Sequence, residues 1–372
     1  MMGKLIWDNK TNITKDITFS KTKYNNFFDK VALDNGSVEA QTLNGTTHHK
    51  WKNKLFWEDN LNVLYHLLND FEEKIDLIYI DPPFFSGVNY RIEIKEDDTN
   101  YESIAYYDHW EKDLDSYLQM LYERILLFKR LLKSSGLLFI HADWHASHYI
   151  KLILDEVFGQ NRFVNNIVWY YYNKYSAGKK SLPRAHDDIL VYSKSNNYTF
   201  NELREPRKKP TKQLKREMVD GVLKNAKDEN GHVIYRIVTD KKLDDVWKIP
   251  CLQPASKEWT GYPTQKHHKL LERIIQLGSN ENDLIADFFC GSGTTLLAAE
   301  KLKRRWIGCD ISEYSIYLSQ KRINKFHESK QDLTKFLKKF YSFEIYTKMN
   351  EYRKKIIDSG FFKKELIIKR KK

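Results

Sequence analysis

The chain has 372 residues with 41% apolar residues, 23 Tyr, 20 Phe and 9 Trp, enough to bury the core of one large domain with an insertion, or of two domains. A formal charge of +12 points to a polyanionic partner, nucleic acid before membrane. The three cysteines, Cys251, Cys290 and Cys309, show no CxxC spacing, which excludes a disulfide framework and a Cys-type zinc site. No run approaches the roughly 18 apolar residues of a membrane span, and the first residues are too polar for a signal peptide, so a reducing cytoplasm is expected and no metal.

Residues 1–50 form a polar N-terminal extension, with Leu33–His49 reading as loop. Leu55–Asp59 is a short strand ending in acids, Leu61–Phe71 has helical spacing, and Ile75–Asp81 is a buried strand. Residues 85–112, charged and aromatic, read as a long loop. Ser116–Gly136 is an amphipathic helix stopped by glycine, Leu137–Asp143 a strand, and His145–Gly159 a second glycine-ended helix. Asn165–Tyr172 and Asp187–Lys194 look like an antiparallel strand pair. Residues 195–261 then turn rich in Lys, Arg and Pro, most basic at Arg204–Arg216, and read as an inserted module. After it come a helix (Lys266–Leu277), a strand (Leu284–Phe289), a glycine turn, a helix (Thr294–Leu302), a strand (Trp306–Asp310), a helix (Glu313–Phe326) and a basic tail, 329–372, that reads as solvated. Strand–helix alternation predicts an α/β, doubly wound, mainly parallel Rossmann-like sheet with one antiparallel pair.

Two stretches carry chemistry. In Ile75–Phe84, "IDLIYIDPPF", prolines end a strand and leave Asp81 and Phe84 at its carboxyl end, where open α/β sheets keep their ligands. In Asp283–Ser312 a strand, a glycine turn, a helix and a second strand ending in Asp310 form a nucleoside-binding unit. Position 296 is Leu where a dinucleotide motif wants its third glycine, which disfavours a pyrophosphate, and GK[ST] is missing, so a phosphate-free nucleoside remains: S-adenosylmethionine. Asp287 and the turn amides would hold its methionine end, and Asp310 its ribose diol. If the two strands are neighbours, Asp81 and the Pro82 carbonyl can each accept an N–H from an exocyclic amine, and Phe84 can offer its face to an extruded base. His141 and Asp143, at a strand–helix junction, line the cleft or cap the helix rather than bind metal.

With these motifs the chain resembles the amino-methyltransferases of DNA that modify adenine N6 or cytosine N4, in the group whose catalytic motif precedes the cofactor motif. The carriers are "KNKLFWEDNLNVL", "KIDLIYIDPPF", "DSYLQMLYERI", "HADWHASHYIKLILDEVFG", "GYPTQK" and "DFFCGSGTTLLAAEKLKRRWIGCDIS", spread from Trp51 to Phe326. The resemblance implies a catalytic tetrapeptide Asp81-Pro82-Pro83-Phe84. It implies cofactor contacts from Asp59, Thr264, Gln265, Lys266, Asp287, Phe289, Cys290, Gly291, Ser292, Gly293, Thr294 and Asp310. Trp169–Tyr172 resembles the aromatic segment flanking the flipped base. DNA contacts are expected from Trp169, Tyr170, Arg204, Arg207, Lys208, Lys209 and Lys212. The implied organisation is a catalytic half at 51–194, a target-recognition module at 195–261 and a cofactor half at 262–328, a circularly permuted order. Asp81, where a serine more often goes with cytosine N4, favours adenine. Double-stranded DNA is the expected partner, with a cognate restriction endonuclease subunit and a homodimer left open. Cytosine-N4 methylation and a catalytically idle DNA-binding or specificity subunit are the rival readings. The family often has Pro-Glu where this chain has His267-His268.

Overall fold

The computed structural model describes residues 6–8, 10, 27–31, 51–96, 99–106, 108, 113–174, 180–329, 343–363 and 367–370. In chain order, β1 (Asp29–Val31) and β2 (Asn53–Trp57) precede α1 (Asn60–Phe71), β3 (Ile75–Ile80), β4 (Tyr90–Glu96), β5 (Thr99–Tyr106), α2 (Leu114–Leu131), β6 (Leu132–Ala142), α3 (Ser147–Phe158), β7 (Phe163–Tyr170) and β8 (His186–Ser193). The middle of the chain supplies β9 (Arg204–Leu214), β10 (Arg216–Val219), β11 (Val222–Asn225), β12 (Tyr235–Lys242) and β13 (Val246–Lys248). The remainder holds α4 (His268–Gly278), β14 (Leu284–Asp287), α5 (Thr294–Lys301), β15 (Arg305–Asp310), α6 (Glu313–Ser329), β16 (Phe343–Thr347), α7 (Glu351–Asp358) and β17 (Ile367–Arg370).

Ten strands form one sheet in the order β1-β16-β2-β15-β14-β3-β6-β8-β7-β13. From β16 to β6 every pairing is parallel. A parallel strand is covered on both faces and so reads as a continuous apolar run. β3, "IDLIYI", is buried at all six positions. One face packs under α1, α2 and α3 through Leu64, Leu121 and Ile150, the other under α4, α5 and α6 through Leu271, Leu296 and Ile316. The expected antiparallel pair is β7 with β8. None of the described helices is long and apolar enough to cross a membrane.

Several expectations change. The stretch 85–112 is not one loop: β4 and β5 pair antiparallel and β17 adds to β4. Ile92 and Ile94 are buried and alternate with the charged Arg91, Glu93 and Lys95, a period of two that marks a half-buried strand and that the loop expectation passed over. Gly136 does not stop α2, which ends at Leu131; it lies inside β6, where a Cβ would meet Leu132 Cδ2 at 2.9 Å and the Ile75 carbonyl at 3.1 Å. Nor is the tail only a solvated run. β16 enters the main sheet beside β2, and β1 pairs with β16. The predicted loop Leu33–His49 lies outside the described residues, as does 330–342. Within 195–261, β9 and β12 form an antiparallel ribbon and β10 and β11 a hairpin, while β13 returns to the sheet beside β7 and buries Trp247.

Candidate active site

Prolines have no N–H for a ladder, so β3 stops at Ile80 and Asp81-Pro82-Pro83-Phe84 crosses its carboxyl end. β14, remote in sequence, is its neighbour: Ile285 faces Leu77 and Ala286 faces Ile78. The ends of both strands therefore open into one cleft of about 980 Å³. All four residues of the tetrapeptide line it. So do Asp59, Thr264, Gln265, Lys266, Asp287, Phe289, Cys290, Gly291, Ser292, Thr294 and Asp310.

Gly293 is the exception among the expected cofactor residues. It caps α5 at φ +73°, and a Cβ there would lie 2.4 Å from Ser319 Oγ, so its glycine identity serves helix packing. Gly291, at φ +49°, turns its N–H onto Asp310 Oδ2 at 2.8 Å, while Ser312 N–H donates to Asp310 Oδ1 at 2.9 Å. The glycine turn and the acid at the end of β15 thus brace each other. Burial raises the Asp310 carboxyl above its ordinary value despite these two donors. Burial likewise pushes Asp287 up to about 7, although it accepts from Phe289 N–H at 3.0 Å.

Asp81 has the opposite sign. Burial alone would raise it, but the Lys266 ammonium and His141 together hold it below the usual carboxylate range. Lys266 Nζ donates to Asp81 Oδ2, and to the Thr264 carbonyl at 3.2 Å. His141 Nδ1 lies 2.9 Å from Asp81 Oδ1, an electrostatic approach off hydrogen-bonding alignment, and Nε2 lies 3.2 Å from Asp187 Oδ2. The backbone around Asp81 is fixed as well. Tyr117 hydroxyl donates to the Pro83 carbonyl at 2.8 Å, and Asp108 accepts the N–H groups of Phe85 and Ser86 at 2.8 and 3.0 Å. Among the described residues nothing donates to the Pro82 carbonyl, which leaves it as an acceptor for a ligand. The Phe84 ring meets His141 edge-on at 5.1 Å, and Lys266 Nζ lies 5.5 Å from its centroid.

Lys266, expected at the cofactor, also reaches Asp81. Asp187 behind His141, and Asn60 and Arg124 beside Asp59, were not expected; Tyr171, expected in the aromatic segment flanking the base, instead stands buried behind His141 on Asp187. Asp59 caps α1 through Leu61 N–H at 2.8 Å and pairs with Arg124 at 3.2 Å. A lone arginine on the apolar face of "YERILLF" is the available signal for Arg124, which is buried. Asp143 caps the turn into α3, accepting from His145 N–H at 2.9 Å. His267, in place of the usual residue, caps α4 by accepting Lys269 N–H at 3.2 Å. Glu258, His267 and His268 bring three ligating atoms within 4.8 Å of one another, but both Glu258 oxygens already serve His268, at its N–H (2.9 Å) and its Nδ1 (2.6 Å).

Trp169 needs correction as a DNA contact. It is 3% exposed, donates its indole N–H to the Ile249 carbonyl at 2.8 Å and packs behind His141, out of reach of a duplex. Tyr170, next to it on the strand, points outward at 36% exposure. On the ribbon Arg204 is held by Asp240 and Glu202, and Arg207 by the Asp240 carbonyl, whereas Lys208, Lys209 and Lys212 are exposed.

A DNA methylase family model matches residues 75–321. The Type II methyltransferase M.EcaI of Enterobacter cloacae is 27% identical over 324 residues, covering 73% of this chain and 69% of that protein. The DNA adenine methyltransferase YhdJ of Escherichia coli (strain K12) is 29% identical, covering 72% of this chain and 82% of that one. The Mod subunit of the Type III restriction-modification enzyme StyLTI of Salmonella typhimurium is 24% identical over 74% of this chain, and the match spans about half, 54%, of that subunit.

Proposed function

The chain belongs to the DNA methylase family of the N6/N4 class, and from that premise we propose that it transfers a methyl group from S-adenosylmethionine to N6 of an adenine turned out of duplex DNA. The observation that carries the reading is the meeting of Asp81 and the open Pro82 carbonyl with the Gly291 turn and Asp310 in one cleft. When bound, S-adenosylmethionine supplies a methyl group on a positively charged sulfur, which is a good leaving group. The residues present suit it: Asp310 can accept from a ribose diol, and Asp287 can face an ammonium. An amino group on a nucleobase is a poor nucleophile because its lone pair is delocalised into the ring. Asp81 and the Pro82 carbonyl each accept one of its N–H bonds, which localises the lone pair and aims it. Phe84 supplies a ring face for the extruded base.

Aspartate at position 81 and the adenine named for the Escherichia coli relative support adenine over cytosine N4. An intact Asp81, Gly291 and Asp310 argue against an idle subunit. The Type III relative supports a cognate restriction subunit as a partner. The deciding experiment is a nucleoside digest, read by mass spectrometry, of unmethylated DNA incubated with the protein and S-adenosylmethionine. N6-methyladenine supports the proposal, N4-methylcytosine overturns the base, and no methylated base overturns the activity.

The β9/β12 ribbon reads the target. Two strands of a ribbon fit the major groove, and Lys208, Lys209 and Lys212 stand exposed beside Tyr235 and Ile237, themselves 50% and 66% exposed. Each phosphate contact contributes about 0.9 to the slope of log K against log salt. Replacing the three lysines with alanine is therefore expected to flatten that slope by roughly 2 to 3 in a fluorescence-anisotropy titration. An unchanged slope removes them from the phosphate contacts.

Cofactor binding should depend on pH through Asp287. An ammonium beside it favours the ionised carboxyl, so affinity is lost as pH falls through about 7, where that carboxyl titrates. Calorimetric Kd values are expected to weaken by up to about tenfold per pH unit below that point, and Asp287→Asn to remove the dependence. A slope retained in Asp287→Asn assigns it to another group.

A further inference from the structure

His141 stands wholly buried on β6, the strand beside β3, with a carboxylate at each ring nitrogen. Asp81 Oδ1 is 2.9 Å from Nδ1, and Asp187 Oδ2 is 3.2 Å from Nε2. Asp187 in turn accepts the Tyr171 hydroxyl at 3.0 Å. A neutral imidazole donates from one nitrogen only, whereas an imidazolium donates from both. Nδ1 is off hydrogen-bonding alignment with Asp81, but two carboxylates flanking one buried ring favour the charged form electrostatically. Counting that form, two carboxylates, Asp81 and Asp187, balance two cations, His141 and Lys266.

We propose that His141 is a positioning residue for methyl transfer: as an imidazolium clamped between Asp81 and Asp187, it holds Asp81 ionised and fixed in rotation so that its free lone pairs accept the target amine. This role rests on the methyltransferase reading above. A protonated Asp81 could not accept an amine N–H from that oxygen. Burial pushes Asp81 toward that protonated form, and only Lys266 and His141 oppose it. Neither cation suffices by geometry, since Lys266 engages Oδ2 and leaves Oδ1 to His141. Asp187, anchored by Tyr171, raises His141 in its turn against burial.

The groups facing the ring from each side are few. Asp81 comes from the end of β3, Asp187 from β8, Lys266 from the segment before α4, and Tyr171 from the end of β7. Phe84 and Trp169 enclose the ring edge-on without charge. Further out, Asp143 is occupied by His145, and the Cys251 thiol is pushed up to about 11 by burial and stays neutral.

The test compares kcat–pH profiles of the full-length wild type, His141→Asn and Asp187→Asn, with DNA and S-adenosylmethionine as substrates. His141→Asn is expected to lower kcat by about 100-fold, leave both KM values within about 3-fold, and move the acid limb to higher pH as Asp81 loses its cation. Asp187→Asn should move the basic limb to lower pH, because His141 loses the partner that raises it. Carbon-13 NMR of labelled histidine in the wild type should show an imidazolium at neutral pH, a readout that survives if His141→Asn fails to fold. Unshifted limbs in a folded variant, or a neutral His141 in an active enzyme, overturn the role alone. A wild type that transfers no methyl group to DNA overturns the methyltransferase reading and this role with it.

Discussion

Asp81→Ala is expected to lower kcat for DNA methylation by about 10³-fold while the cofactor Kd moves by less than about 3-fold. The carboxylate is the one charged acceptor at the end of β3, and its contribution comes while the amine is being aimed. The cofactor's expected partners, Asp287 and Asp310, lie on β14 and β15 and keep their own hydrogen bonds without it. Asp81→Asn is the sharper variant. It keeps the shape but presents an NH₂ group and no charge, so it should lose nearly as much. Both changes leave Lys266 and His141 facing each other without their shared anion, so both should lower the melting temperature. Circular dichroism therefore comes first, so that single-turnover methyl transfer is read on folded protein. A folded variant keeping more than about a tenth of wild-type kcat removes Asp81 from this role.

The parts of this site legible in the sequence are those whose chemistry is local. An apolar run cut by an acid and two prolines states both where β3 ends and what it leaves there. A strand, a glycine turn, a helix and a terminal acid do the same for β14 to β15. What stayed hidden is contact across the fold. Lys266 meets Asp81 across 185 positions, and His141 meets Asp187 across 46, so no spacing rule applies. Trp169 misled because an aromatic run looks the same whether its rings face solvent or core. Strand alternation then sends Trp169 inward and Tyr170 outward. The β4–β5 hairpin did show a period of two at Ile92 and Ile94, overlooked within a charged stretch, whereas the β9–β12 ribbon has no buried position in either strand and so leaves no apolar face to read. β16 escaped notice because a five-residue strand inside a basic tail buries only two positions, Ile345 and Thr347.

Asp310→Ala should do the reverse of Asp81→Ala: cofactor affinity falls about 100-fold while duplex DNA binding stays unchanged. A hydrogen bond to a charged group contributes about 1.5 kcal/mol or more, and two from a ribose diol give about 3 kcal/mol, or roughly 10² in Kd. Asp310 accepts the Gly291 and Ser312 N–H groups, and Ser315 and Ile311 also donate to it, so a ribose diol must share or displace these donors. The alanine variant also releases Gly291 N–H, so part of its loss comes from a loosened turn. Asp310→Asn separates the two effects. Its carbonyl oxygen can retain the Gly291 bond and one hydroxyl, so it should lose about tenfold, intermediate between wild type and alanine. Calorimetric titration with S-adenosylmethionine measures all three proteins, with DNA anisotropy as the control. Wild-type affinity in both variants places the nucleoside elsewhere in the cleft. An equal 100-fold loss in both means the full negative charge, rather than the bracing of the turn, holds the ligand.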